Sequence, residues 1–370
     1  RGYEIEDELD DKSALADRLR AGLIKQVAQI LLLMDRWFEP PRSTGLHLST
    51  LVQQILSIIA ERSGIHAKPL YDALVINGPF QGLPPSQFAS LLRAMAAQDL
   101  LVQDPGGGEL LPGQKGEAFI NSRDFYAAFV TDEEWTLASE AGVMGTLPID
   151  SPVSVDMYLI FGGRRWQVTS IDAQGKRIQV RPAPGGMPPI FGGSGGFTHR
   201  RVRERMREIL EDNAPIPFLD ETAAKLVEEA RAIYREFRLD RYLTLRNGAV
   251  LHLIPWAGDD ALTALVLLLK EFNLLATSTG LTLDVSVDEA DTLFDALEKI
   301  RDGGETEQRS ALAAAENLEQ GKWDCVLPRD LLEANYASLN LDFAGAREIA
   351  RQVLEAARGD REQHAPTSAG

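Results

Sequence analysis

Cysteine is almost absent: Cys325 is the one thiol among 370 residues. It cannot close an internal disulfide, and it excludes structural zinc sites that need two or more thiolates. Histidine is scarce too, with five residues at 47, 66, 199, 252 and 364 and no pair at the spacing of a helical metal site. No metal is expected. Long apolar runs are also missing, since Ala264 to Leu269 and Ile30 to Met34 fall far short of the about 20 residues that span a bilayer. Residues Arg1 to Asp11 are acidic and have neither the apolar stretch nor the small-residue cleavage site of a signal peptide. No membrane partner is expected, and a reducing, cytoplasmic setting fits. The chain does not begin with Met, which suggests an excised fragment.

A phosphate-cradling loop with Lys and Ser or Thr behind it is likewise missing. Gly113-Gln114-Lys115-Gly116 lacks the following hydroxyl and reads as a surface turn. Gly192-Gly193-Ser194-Gly195-Gly196 has the letters of a serine-hydrolase elbow but sits in a Gly-rich connection with no strand before it. Adjacent acids at Asp259-Asp260 and Glu133-Glu134 read as helix-start caps that complement the dipole. No catalytic residue is expected.

Positive charge is in short supply overall, with a net charge of −17. Its distribution is uneven. Between Phe161 and Arg207 stand ten basic residues against two acids, so that stretch carries +8 and the remainder −25. Such a local patch can steer a polyanion to one part of an acidic molecule.

The length and composition fit an α+β chain of several domains. After an acidic lead-in at 1–11, apolar residues at three- and four-residue spacing predict a helix from Leu15 to Trp37, ended by Pro40 and Pro41. Helices over Leu48–Arg62, Ala67–Ile76 and Ser86–Gln98 follow, with Ser49 a candidate N-cap. Short strands at Leu100–Gln103 and Glu109–Leu111 flank the turn Asp104-Pro105-Gly106-Gly107-Gly108. Three helices and a hairpin are the order of a winged helix, placed here at 12–120; a plain helical bundle with an incidental hairpin is the alternative.

Short β-rich runs at Val155–Phe161, Trp166–Ile171 and Arg177–Val180 predict a small antiparallel, barrel-like domain at 121–197, followed by a mobile connection from Gly185 to Gly196. The third domain, 198–360, is read as α+β. Its helices are expected at His199–Leu210, Asp220–Phe237, Asp259–Phe272 and Asp288–Ile300, with a hairpin around Asn247-Gly248 and strands near Leu274–Thr277 and Leu281–Val285. The tail at 361–370 is expected to be disordered.

Four segments carry a family resemblance: Gly145-Thr146-Leu147-Pro148, Phe161-Gly162-Gly163-Arg164-Arg165-Trp166-Gln167-Val168, Val180-Arg181-Pro182-Ala183-Pro184-Gly185-Gly186, and Pro188-Pro189-Ile190-Phe191. With Trp37-Phe38-Glu39-Pro40-Pro41, Leu46 to Leu51 and Asp124 to Phe129 before them, their order resembles the region after the RecA-like lobes in Lhr-type superfamily-two DNA helicases. The resemblance covers about residues 10 to 210. It implies a parent protein that unwinds DNA 3′-to-5′ for repair or related transactions, with ATP and Mg held by RecA-like lobes that this sequence lacks. The implied partners are those lobes and single-stranded or tailed DNA, with RNA also open.

The resemblance further implies that Trp166 stacks on a base of the loaded strand, a contact that tolerates any sequence. A packed strand aromatic is the other reading. Strand alternation would put Arg164 beside Trp166, with Arg165 on the opposite face. Candidate phosphate contacts are Arg164, Arg165, Lys176, Arg177, Arg181, Arg200, Arg201 and Arg203, with Arg93 and Lys115 on the winged helix. The arginines after His199 equally read as a solvated helix face paired with Glu204 and Glu208. Because the helix at 86–98 has few base-matching side chains, the winged helix is expected to separate strands or support structure and not to read sequence. Two other functions stay open: a glycosylase-like repair module that flips a base into a pocket, and a protein-interaction module of a defence or regulatory complex.

Overall fold

A computed structural model describes residues 9, 13–41, 43–128, 134–148, 158–161, 164–172, 176–182, 197–247, 250–278, 281–313, 315 and 318–363, with backbone alone at 134, 146–148, 158–161, 164–165 and 358–363. The Gly-rich connection, residues 364–370 of the expected tail and most of the acidic lead-in lie outside these residues, whereas 361–363, expected to be disordered, continue the last helix. The chain is mixed α+β and divides into two compact units: residues 1–118 with 198–370, and residues 119–197. The segments read from sequence as a first and a third domain fall in the same one of these units.

The reason is α2. The apolar residues from Leu15 onward form two helices, α1 (Leu15–Arg18) and α2 (Ala21–Met34), because Arg20 between them adopts a left-handed φ of 50°. Its guanidinium is buried and donates to Glu229 of α8 (Glu221–Glu236) at 3.1 Å. The buried stripe of α2, Leu23, Ile24, Val27, Ala28 and Leu32, shares one core with Val202, Met206 and Ile209 of α7 (Arg200–Glu211) and with Val227, Ala230 and Tyr234 of α8. Each buried Leu or Ile contributes about 1.5–3 kcal/mol, so this stripe binds the first segment to the third. α2 ends before the prolines. Arg36 takes a left-handed φ of 59°, and the Trp37 N–H reaches the Leu32 carbonyl at 2.8 Å, closing the last turn.

Residues 48–112 then run α3 (Leu48–Arg62), α4 (Ala67–Tyr71) continued by a π turn over Asp72–Ile76, α5 (Pro85–Ala97), β1 (Leu101–Gln103) and β2 (Leu110–Pro112). The strands are antiparallel, and Ile65, between α3 and α4, bridges to Leu110 as a third strand of one residue. α6 (Gln114–Ile120) closes the run. Ser49 does not cap α3; its hydroxyl accepts the Trp323 N–H at 2.9 Å. Asn335 Oδ1 instead accepts the Leu48 N–H at 2.8 Å, and the Trp323 indole donates to Gln53 at 2.7 Å.

The 119–197 unit holds β3 (Glu134–Ser139), β4 (Gly142–Pro148), β5 (Tyr158–Phe161), β6 (Arg164–Asp172) and β7 (Arg177–Pro182) in the order β4-β3-β7-β6-β5. The antiparallel expectation is corrected at one seam, since β3 and β7 run parallel. Among the described residues no pairing joins β4 to β5. Leu137, Val168, Ile178 and Val180 form its small core.

In the larger unit β8 (Thr244–Asn247), β9 (Val250–Leu253), β10 (Leu275–Ser278) and β11 (Leu283–Ser286) make an antiparallel sheet in the order β10-β11-β9-β8. α9 (Asp259–Lys270), α10 (Ala290–Asp302), α11 (Glu305–Ala313) and α13 (Phe343–Gln363) share its apolar core, and α12 (Arg329–Asn340) carries Asn335 to α3.

Replacing Trp323 by Phe keeps most of the buried ring but removes the indole donor to Gln53. Urea unfolding is expected to show a loss of about 1–3 kcal/mol. No loss would mean that this hydrogen bond does not hold α3 in place.

Candidate nucleic-acid interface

The candidate arginines fall into two groups with different surroundings. Those on α7 arise from an Arg-rich run at helical spacing, so their partners are the acids three, four or seven residues away. Arg200 pairs with Glu204 at 2.7 Å, Arg201 with Glu208 at 2.7 Å, and Arg207 with Glu211 at 2.8 Å. Arg205 bridges Glu208 at 2.7 Å and Asp35 at 3.2 Å. Burial raises the Glu208 pKa, but hydrogen bonds from Arg201 and Arg205 outweigh it and hold the carboxyl below the usual glutamate range. Such a depressed carboxyl adds stability at neutral pH, which is lost as pH falls through its folded value. A phosphate approaching α7 must displace these carboxylates.

Arg203 is a correction. Only 4% of it is exposed, and it donates to Asp259 at 3.2 Å and contacts the Met206 sulfur. A guanidinium enclosed in this way belongs to the core and cannot meet a phosphate. Lys25 lies in the same network, where burial and then Arg203 lower its pKa against the opposing pull of Asp259; its ammonium donates to Thr198 Oγ1 at 2.9 Å.

Beside α7 lies a cleft of about 580 Å³. Six carboxylates line it, Glu204, Glu208, Glu211, Asp260, Asp342 and Glu348, against Arg200 and Arg207. That balance suits neither a nucleotide nor a flipped base with its phosphates.

The second group lies on the sheet of the smaller unit. Ile178 and Val180 point into its core, so strand alternation sends Arg177, Gln179 and Arg181 to the other face. Arg177 and Arg181 are exposed and Gln179 is half-buried. Gln167, directly opposite on β6, accepts from Arg181 Nε at 3.0 Å and Nη2 at 2.8 Å, which holds the guanidinium over the sheet. Asp172 stands opposite Arg177. Lys176 is half-buried at the start of β7, with a left-handed φ of 47° and its carbonyl accepting the Thr136 N–H.

Trp166 lies on the other face. It is half-buried and packs with Trp135, Met144 and Ile171 against the small core, so it does not share a surface with Arg177 and Arg181. Arg164 and Arg165 open β6, paired with Phe161 and Ile160; their side chains lie outside the described residues.

Arg93 on α5 and Lys115 on α6 are both exposed. Gly113 and Gly116 have a steric role. A side chain at Gly116 would collide with the Leu100 carbonyl, and the Lys115 and Gly116 amides both donate to the Asp99 carbonyl. The hairpin tip carries Asp104 and Glu109, an unfavourable pair for phosphate. Gln167 and Gln179 are residues of the sheet face that sequence reasoning missed, because their neighbourhood with Arg177 and Arg181 is set by strand register and leaves no motif in the chain.

Among the described residues no group of three or more His, Cys, Asp or Glu is placed to hold a metal ion, and no helix is long and apolar enough to cross a membrane.

Arg203→Met is expected to cost about 2 kcal/mol, less than the roughly 3–5 kcal/mol of breaking a fully buried pair, because Asp259 keeps solvent contact. Affinity of the folded variant for DNA should be unchanged. Trp166→Ala is expected to destabilise the smaller unit by less than the about 3–5 kcal/mol of a fully buried aromatic. Undiminished stability with weakened DNA binding would return the ring to the binding surface. The chain matches no family model, no curated protein and no solved structure.

Proposed function

We propose that the chain is the DNA-engaging, C-terminal portion of an Lhr-like, ATP-dependent 3′-to-5′ helicase, gripping the tracking single strand while RecA-like lobes of the parent protein hydrolyse ATP. The observation that carries this reading is the element order of residues 48–112: helix, one-residue bridge, two helices and a hairpin. That is the order of a winged helix. It is followed along the chain by a β-rich unit that exposes Arg177 and Arg181. Both features support the family resemblance carried by residues 37–41, 46–51, 124–129, 145–148, 161–168, 180–186 and 188–191.

The exposed side of the winged helix also supports strand handling over sequence reading. α5 exposes Ser86, Arg93, Ala96 and Ala97, which offer little for base edges. ATP and its Mg would bind in the parent's lobes, and the residues of this chain would supply only positioning of the strand.

A protein-interaction role is the second reading, favoured by the exposed apolar stripe of Ile30, Leu33, Met34 and Phe38. Binding assays separate the two. Purified chain is expected to show no nucleic-acid-stimulated ATP turnover. It is expected to bind single-stranded DNA weakly, losing about ten- to twentyfold in affinity between roughly 50 and 200 mM salt if about three phosphates are contacted. No binding at the lower salt would remove the DNA reading.

A further inference from the structure

We infer that β7 is a phosphate ladder: Arg177, Gln179 and Arg181 lie along the backbone of a single strand, and Gln167 holds the Arg181 guanidinium in the orientation that receives it. This rests on the proposed DNA-binding reading and names where and how the strand is held.

Three observations combine here. Residues two apart on a strand lie on one face, about 6.5–7 Å apart, a step comparable with that between successive phosphates of an extended single strand. β7 presents Arg177, Gln179 and Arg181 in that register while Ile178 and Val180 anchor the strand from below. Gln167 fixes Arg181 through one oxygen that accepts from two guanidinium nitrogens, leaving Nη1 uncommitted by this contact. A glutamine does this without neutralising the charge. On α7, by contrast, every arginine from 200 to 207 is paired with a carboxylate. The ladder face therefore attracts a polyanion where the richer arginine run does not.

One acid opposes it. Asp172 stands across from Arg177 and lowers the potential at that end. Contact with phosphates alone reads neither base nor sugar, so the ladder should not distinguish DNA from RNA.

The test is a salt titration of binding by the full chain to labelled oligothymidine and oligouridine. Removing two contacts with Arg177→Gln/Arg181→Gln should flatten the slope of log affinity against log salt by about 1.4 and lower affinity at least tenfold at about 50 mM salt. Arg177→Lys/Arg181→Lys should restore most of the slope. Gln167→Leu keeps the charge count, so affinity should fall severalfold with the slope unchanged. Asp172→Asn should raise affinity. Arg200→Gln/Arg201→Gln should leave the slope unaltered.

If the unmodified chain binds but Arg177→Gln/Arg181→Gln leaves its slope intact, or if Arg200→Gln/Arg201→Gln flattens it instead, the ladder is wrong while the DNA reading stands. A more than about tenfold preference for one of the two oligonucleotides would also overturn it, because something other than phosphate would then be read. Absence of binding by the unmodified chain removes the underlying reading itself. Circular dichroism of each variant separates these results from loss of the sheet.

Discussion

The ion pair between Arg203 and Asp259 fixes where the chain re-enters its larger unit, and the rest of that unit depends on this register. Thr198 is the first residue back. Its N–H donates to Asp259 Oδ2 at 2.8 Å, its carbonyl accepts the Asp259 N–H at 3.2 Å, and its hydroxyl accepts from Lys25 on α2. The start of α7 is thereby tied to α9 and α2 together. Val202, Met206 and Ile209 can then enter the core shared with α2 and α8. Burying a guanidinium costs solvation that its pairing only partly repays, so the pair is better understood as setting register than as adding stability.

The same geometry changes the meaning of the positive stretch between Phe161 and Arg207. Counted along the chain, its basic residues are equivalent; in space they divide. The helical period that gathers arginines on α7 also brings Glu204, Glu208 and Glu211 within reach of them, and Asp35 and Asp259 arrive from other elements. A strand has no such neighbours three and four residues away. Its cross-strand partners decide instead, and those of Arg181 and Arg177 are Gln167 and Asp172.

Much of the helical framework was legible in the sequence. The extent of α3, the start of α8 at the Asp220 cap and the hairpin flanking Asn247 follow from period, cap and turn chemistry. Helix ends were harder, because Arg36, Asp99, Arg238 and Asn273 take left-handed conformations usually given to glycine. Each closes its last turn with the bond pattern seen after α2. The helix from Leu15 was read as continuous because the break depends on Arg20 reaching Glu229, more than two hundred residues away. The hairpin of β3 and β4 was missed because its tight turn at Glu140-Ala141 lacks the usual Asn-Gly or Asp-Gly signal, and the parallel pairing of β3 with β7 was missed because a parallel partner leaves no local turn to read. The candidate site was legible in residue type but not in availability. Arg203 and Arg181 look alike in sequence, and only burial and partners separate them.

Under the proposed reading, a small number of contacts is a suitable property for a strand-guiding surface. A motor must release the strand at every step, so a grip built from many desolvated ion pairs would oppose movement as strongly as it secured the substrate. Two exposed guanidinium groups and an amide, aligned on a rigid strand, offer phosphates contacts that are individually weak, solvated and indifferent to base identity. Their geometry comes from Ile178 and Val180 below and Gln167 beside them, so order is supplied by the sheet and not drawn from the nucleic acid. The acidic remainder of the chain works in the same direction by disfavouring adsorption elsewhere, within the roughly 10 Å reach of unscreened charge at 0.1 M salt. Placement on such a surface thus derives from exclusion as much as from attraction.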